Sequence, residues 1–347
     1  MVLGGAAALN GYLLTALANG TGHVGYGLAL QKTIVLVGTM LVIGVVLWAR
    51  TLMPLWSVGL FYGIGVLLGV DPHGLLAGGN PWKFAFAVPV TVIALSIAMA
   101  RRSRGLELAT LVVLSALSMV SDARSGLAVL VLTTVLVIWQ MRPTSHTRRG
   151  STVRVLLGLL LLSAVAYNVG QLLIVDGALG EATQQRTIAQ INTSGSLILG
   201  GRPELAATAS LMQHYPFGFG SGTYVDSSQL LVAKQGMQSI NYDPNNGYVD
   251  NFMFGTGFEL HSVFGDLWAN HGVAGLALWI ALLWYTLRGL GHSVAGRSAR
   301  ALPIYLAIAT LWSLFFSPWY GSATLLIPVI GMTLLERARD DTKAVSS

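Results

Sequence analysis

Cysteine is absent from the 347 residues, and charge is scarce, with Asp, Glu, Lys and Arg making up 10% of the chain. The first absence excludes disulfides and thiolate metal sites. A soluble domain carries about 25% charged residues. The low charge here, beside 54% hydrophobic residues and a mean hydropathy of +0.66, excludes an ordinary water-soluble globule and predicts an integral membrane protein. No Lys or Arg precedes Lys32, so residues 2–18 lack the basic segment of a secretory signal peptide. They read instead as a retained, somewhat polar membrane helix. No internal repeat is visible.

Apolar runs are what the chain has in quantity. A helix needs about 20 residues to cross roughly 30 Å of hydrocarbon, and suitable runs fall near 33–49, 52–70, 82–100, 106–120, 126–141, 155–175, 264–287, 302–317 and 319–335. With residues 2–18 they predict an all-α polytopic transmembrane helix bundle of nine or ten spans. The cations then sort by side. Arg50, the groups Arg101, Arg102, Arg104 and Arg142, Arg148, Arg149, Arg154, then Arg288, Arg297, Arg300 and Arg337, Arg339, Lys343 all fall on one face when spans alternate. That face is cytoplasmic by the positive-inside rule. The net charge of +6 therefore reports orientation, and no nucleic-acid partner is expected.

Alternation divides the chain into N-terminal spans (1–175), an outer-face loop domain (176–262), and C-terminal spans with a cytoplasmic tail (263–347). A loop of that length in a compact bundle is usually functional or disordered. This one holds Tyr215, Phe217, Phe219, Tyr224, Tyr242, Tyr248, Phe252, Phe254 and Phe258, enough aromatic surface to pack on the bundle or on a ligand. The stretch from Tyr242 to Phe258 is where acceptor contacts would be expected.

Three segments carry candidate chemistry. In "GGRPELAATASLMQHYPFGFGSGTY" (200–224), Pro203 and Glu204 suit the first turn of a helix that Pro216 and the glycines end. Arg202 would sit at its N-terminus, where free N–H groups already favour an anion and a guanidinium adds a bidentate fork for phosphate. It could equally snorkel or pair with Glu204. "GFGSG" (218–222) follows a proline rather than a buried strand, so a dinucleotide loop is disfavoured; a tight turn allowing close backbone approach fits better, with Gly218 and Gly220 as supporting candidates. In "SMVSDARSGLAVLVL" (118–132), Asp122 and Arg124 occupy a minimal outer connection, either as a boundary ion pair or with the arginine aimed into a cavity. In "FELHSVFGDLWANHGVAGLALW" (258–279), His261 precedes a span by about one turn and suits a general base. His271 lies deeper and could equally be a packing residue. Glu259, Asp266 and Asn270 are possible orienting partners.

Two arginines and one histidine on one face suit a reaction in which a diphosphate leaves and a hydroxyl attacks. Those segments, "SDARSGLAVLVL", "GRPELAATASLMQHYPFGFGSGTY" and "HSVFGDLWANHGVAGLALWIALL", resemble in order and spacing the O-antigen ligase and polymerase superfamily of membrane glycosyltransferases. The resemblance covers roughly residues 105–287. It implies an inverting, metal-independent transfer without cofactors. Arg124 and Arg202 would hold the diphosphate of a polyprenyl-diphosphate-linked glycan donor, and His261 would activate the hydroxyl of a glycolipid or glycan acceptor. It also implies residence in the inner (cytoplasmic) membrane, with the site on the periplasmic side. Two departures stand out: Ser125 intervenes between Arg124 and Gly126, and Ser262 takes the place of the usual Asn after the histidine. Rival readings are a polysaccharide polymerase using the same donor, a transporter or flippase, a peptidoglycan polymerase of the elongation and division type, and a non-catalytic scaffold.

Overall fold

The computed structural model describes residues 1–21, 23–71, 74, 79–141, 152–177, 180–194, 200–297 and 299–333. Among the cations used above for orientation, Arg142, Arg148, Arg149, Arg337, Arg339 and Lys343 lie outside the described residues. The described residues are 81% helical and contain no strand, only a single bridge between Val24 and Thr223.

The helices are α1 (Val2–Ala18), α2 (Tyr26–Leu52), α3 (Leu55–Leu68), α4 (Ala87–Ala100, led by a π-helical turn Trp82–Phe86), α5 (Arg104–Val120), α6 (Arg124–Met141) and α7 (Thr152–Val175). They continue with α8 (Glu181–Ser194), α9 (Glu204–His214), α10 (Ser227–Gln238), α11 (Val263–Ala295), α12 (Ala301–Phe316) and α13 (Trp319–Thr333). Five segments, α2, the 82–100 run, α6, α7 and α11, are long and apolar enough to cross a membrane; α1, α3, α12 and α13 are shorter apolar helices. The protein is a multi-pass membrane protein. Lipid offers no hydrogen bonds, so an apolar run satisfies its backbone internally as a helix. Many large apolar side chains on these helices accordingly face outward, among them Val113, Leu160, Leu161 and Trp284.

The chain forms two compact units, Met1–Leu41, Tyr167–Leu283 and Trp312–Ala323 in the first, and Val42–Ala166, Trp284–Leu311 and Thr324–Ser347 in the second. Within the second, α3 packs on α4, α4 on α5 and α5 on α6. Small residues let these backbones approach: a Cβ on Gly59 would lie 2.5 Å from Ser96 Oγ, and one on Gly63 2.8 Å from Ile93. Ser103 caps α5 by accepting from the Leu106 N–H at 3.2 Å. One turn on, the fully buried Glu107 gathers Arg104 at 3.3 Å, Arg300 at 2.6 Å and the Ala301 N–H at 3.2 Å. The Arg300 contact is a close ion pair that is off-line for a hydrogen bond.

The first unit contains α1, helices α9 and α10, and the first part of α11. Its core joins Ala207 and Leu211 of α9, Ala233 and Met237 of α10, and Phe219, Phe254, Phe258 and Trp268. Phe219 stacks on Phe258 with ring centroids 3.9 Å apart, while Trp268 and Phe254 meet that pair edge-on. Phe254 and Phe258 are thus core residues with no face left for a sugar, which removes them from the acceptor contacts expected of that stretch. Phe252 remains exposed.

Candidate functional site

Helix α11 is not continuous. Gly272 has φ 58° and ψ −145°, a conformation open to glycine and strained for other residues. The break frees carbonyls that a helix would have used, and each buried one needs a donor. The glycine-rich loop supplies donors: the Phe219 and Gly220 N–H groups both reach Ala269 O, at 2.8 and 3.1 Å. Asn10 of α1 donates to His271 O at 2.8 Å. Gly218 and Gly220 have φ of 81° and 111°, and a Cβ on Gly220 would meet Thr15 N at 2.6 Å. The close approach expected of this loop is therefore to α1 and α11. His271 is buried in the same place, its ring bonded to the Ala7 carbonyl.

Upstream of the break, the sequence Ser262 to Asn270 fixes the turn that carries His261. Ser262 is the N-cap of α11, its hydroxyl accepting from the Gly265 N–H at 2.9 Å. Serine thus fills a capping role that asparagine would fill as well. Asp266, buried in the first turn, accepts from the Leu260 N–H at 2.6 Å through one oxygen and from the Trp319 N–H at 2.8 Å through the other. It therefore ties the residue before His261 to the start of α13. His261 itself has φ 49°, in the left-handed region. Its Nδ1 lies 3.2 Å from the Glu259 carbonyl. A carbonyl only accepts, so the neutral imidazole that suits this contact is the tautomer with its proton on Nδ1 and its lone pair on Nε2, the form a general base requires.

Lys32 is a candidate site residue that sequence reasoning missed. It is 6% exposed, and its ammonium donates to Asn270 Oδ1 at 2.6 Å and to Phe258 O at 3.4 Å. Asn270 in turn donates to Phe258 O and Asp266 O. A cavity of about 20 Å³ beside them, lined also by Glu259 and Tyr320, has room for one water. A lone lysine six residues into a 27-residue apolar helix was the available signal.

Helix α9 starts one residue after Pro203 and ends at His214, before Pro216, as the sequence predicts. Arg202 is half-buried, its guanidinium over the rings of Trp312 and Phe316 at 5.9 and 5.8 Å. It has no carboxylate partner among the described residues. Glu204, 5% exposed, instead accepts a hydrogen bond from the Tyr248 hydroxyl, and its other oxygen has no partner. Tyr248 opens a π-helical turn, Tyr248–Met253, and its ring lies 5.4 Å from the His261 imidazole. Burial, reinforced by the Glu204 carboxylate, pushes its phenol well above the usual range, so it stays a donor. Tyr248 therefore brings the surroundings of Arg202 and His261 together.

Arg124 opens α6 in the second unit. Its Nε lies 3.6 Å from Asp122 Oδ1, with the two side chains 32% and 51% exposed. The two charges lie within ion-pair distance, and Asp122 adopts φ 47° at this tight turn. Among the described residues no group of three His, Asp or Glu is placed to hold a metal ion. No family model, curated protein or solved structure matches this chain.

Proposed function

We propose that the protein is an inverting membrane glycosyltransferase of the O-antigen ligase type. It would move a glycan from a polyprenyl-diphosphate carrier to an acceptor hydroxyl at the periplasmic face of the bacterial inner membrane. The observation that carries the reading is Arg202: a guanidinium seated on two aromatic rings, without a carboxylate partner among the described residues, in the same unit as a histidine whose Nδ1 faces a backbone carbonyl. A planar fork left unpaired suits phosphate oxygens. In the proposed step the acceptor oxygen attacks the anomeric carbon while Nε2 of His261 takes its proton. The bond from that carbon to the diphosphate oxygen breaks, and the lipid diphosphate leaves with the electron pair. Arg202 stabilises the charge that develops there. Within this unit Asp266 holds the His261 turn through the Leu260 N–H, and Lys32 steadies the Phe258 carbonyl just before it.

The test is purified protein in lipid nanodiscs, given a polyprenyl-diphosphate glycan and candidate acceptors, with products resolved by mass spectrometry. Glycosylated acceptor and free polyprenyl diphosphate are expected, and the yield should survive EDTA. A ladder of longer lipid-linked glycans without added acceptor would make the enzyme a polymerase. Vesicle translocation of intact donor with no transfer product would replace the enzyme reading with a transporter.

A further inference from the structure

We propose that Tyr248 is a positioning residue that engages the Glu204 carboxylate and thereby keeps Arg202 available for an anion beside His261. The inference rests on the proposed role of Arg202. Arg202 and Glu204 flank Pro203 at the head of α9, and both charges act on the Tyr248 phenol. A buried carboxylate without compensation is costly, and the Arg202 guanidinium two residues away is a charge that could pair with it. Here the phenol takes one carboxylate oxygen, the other is left without a partner, and the guanidinium rests on Trp312 and Phe316. The same phenol ring packs against His261. Tyr248 thus serves two elements, one through its hydroxyl and one through its face.

The hydroxyl is the part that can be removed cleanly. In Tyr248→Phe the ring against His261 stays, but Glu204 loses its donor and is free to capture Arg202. In the double variant Tyr248→Phe with Glu204→Gln, a neutral amide replaces the carboxylate and Arg202 is released again. Loss followed by rescue through a second change is a pattern that general destabilisation does not produce.

Inorganic pyrophosphate binding to detergent-purified full-length protein, with Arg202 reactivity towards phenylglyoxal read by mass spectrometry, tests this. Tyr248→Phe should weaken pyrophosphate about tenfold, the loss of a charge-assisted contact, and should protect Arg202 from modification. The double variant should restore both. Unchanged affinity and reactivity in Tyr248→Phe would overturn the inference while leaving the anion site intact. Pyrophosphate binding that is undetectable in the wild type, or indifferent to Arg202→Ala, would overturn the role of Arg202 and the inference with it. Should Tyr248→Phe fail to accumulate, Glu204→Gln alone decides, because Gln keeps an oxygen for the phenol. No gain in affinity is expected; a gain of about tenfold would mean that Glu204 already draws on Arg202, and would overturn the inference.

Discussion

Glu107 in the second unit and Glu204 in the first are both buried carboxylates with arginine near them in sequence, and they are used in opposite ways. Around Glu107, Arg104, Arg300 and a backbone N–H close on the carboxylate. The charge is spent inside the fold, joining α5 to the start of α12. Around Glu204, a tyrosine takes the place an arginine could have filled, and the arginine has no carboxylate partner among the described residues. Burial of an acid is thus no guide to its role. What separates a structural cluster from a candidate site is whether the neighbouring cation has already been neutralised.

The largest effect should come from breaking the paired cluster. Glu107→Ala removes the buried carboxylate that pairs with Arg104 and Arg300, and losing one partner of a buried pair costs roughly 3–5 kcal/mol. Both arginine side chains keep 25% exposure, so the lower end is expected. Thermal unfolding in detergent would measure it; a loss below about 1 kcal/mol, the level of a surface pair, would show that the cluster is not buried in the sense argued.

Arg202→Ala should do the reverse, leaving the unfolding temperature near that of the wild type. Turnover should fall by about 10²–10³, the usual cost of one transition-state contact. Lys should recover little of it, lacking the planar fork. His261→Ala should abolish turnover and still bind the donor. Steady-state and donor-binding measurements on folded protein separate these outcomes, and near-wild-type turnover in His261→Ala would remove it as the base.

A third test moves from charge to backbone. Gly272→Ala must hold φ 58° and fit a Cβ 2.6 Å from Phe217 O and 2.7 Å from Asn10 Nδ2. A backbone outlier of this kind costs about 1–3 kcal/mol, and the misplaced contacts lie where the glycine loop caps the broken helix. Unfolding should show the loss.

The smallest effect concerns Asp226, a carboxylate in a third setting. It caps α10 by accepting from the Gln229 N–H at 2.8 Å, and it also accepts from Ser228. Partial burial works to raise its carboxyl, but these hydrogen bonds outweigh it and hold the group below the usual carboxylate range. A depressed folded value means the stabilisation is present above the unfolded value of about 3.9 and is lost as pH falls through the folded value. Asp226→Ala should cost about 1 kcal/mol at neutral pH. Asp226→Asn should keep the cap and flatten the acid dependence, as unfolding midpoints from pH 7 to pH 3 would show.

The membrane helices were legible from sequence because an apolar run in lipid has one way to satisfy its backbone, whatever surrounds it. The limits of α9 were legible for a similar local reason, since Pro203 fits the first turn and Pro216 cannot continue a helix. His261 and Arg202 could be singled out because titratable groups beside apolar runs are costly and therefore conspicuous. Their surroundings could not. Tyr248 reaches Glu204 across 44 residues and Lys32 reaches Asn270 across 238. Contacts between residues so far apart leave no periodicity or spacing in the chain. The glycine loop reads locally as a turn, and only the break at Gly272, with the carbonyls it leaves for other donors, makes it the cap of α11. Local rules of helix formation were decided by the sequence itself; which arginine remains unpaired was decided by packing, because it depends on a phenol that the fold brings to Glu204.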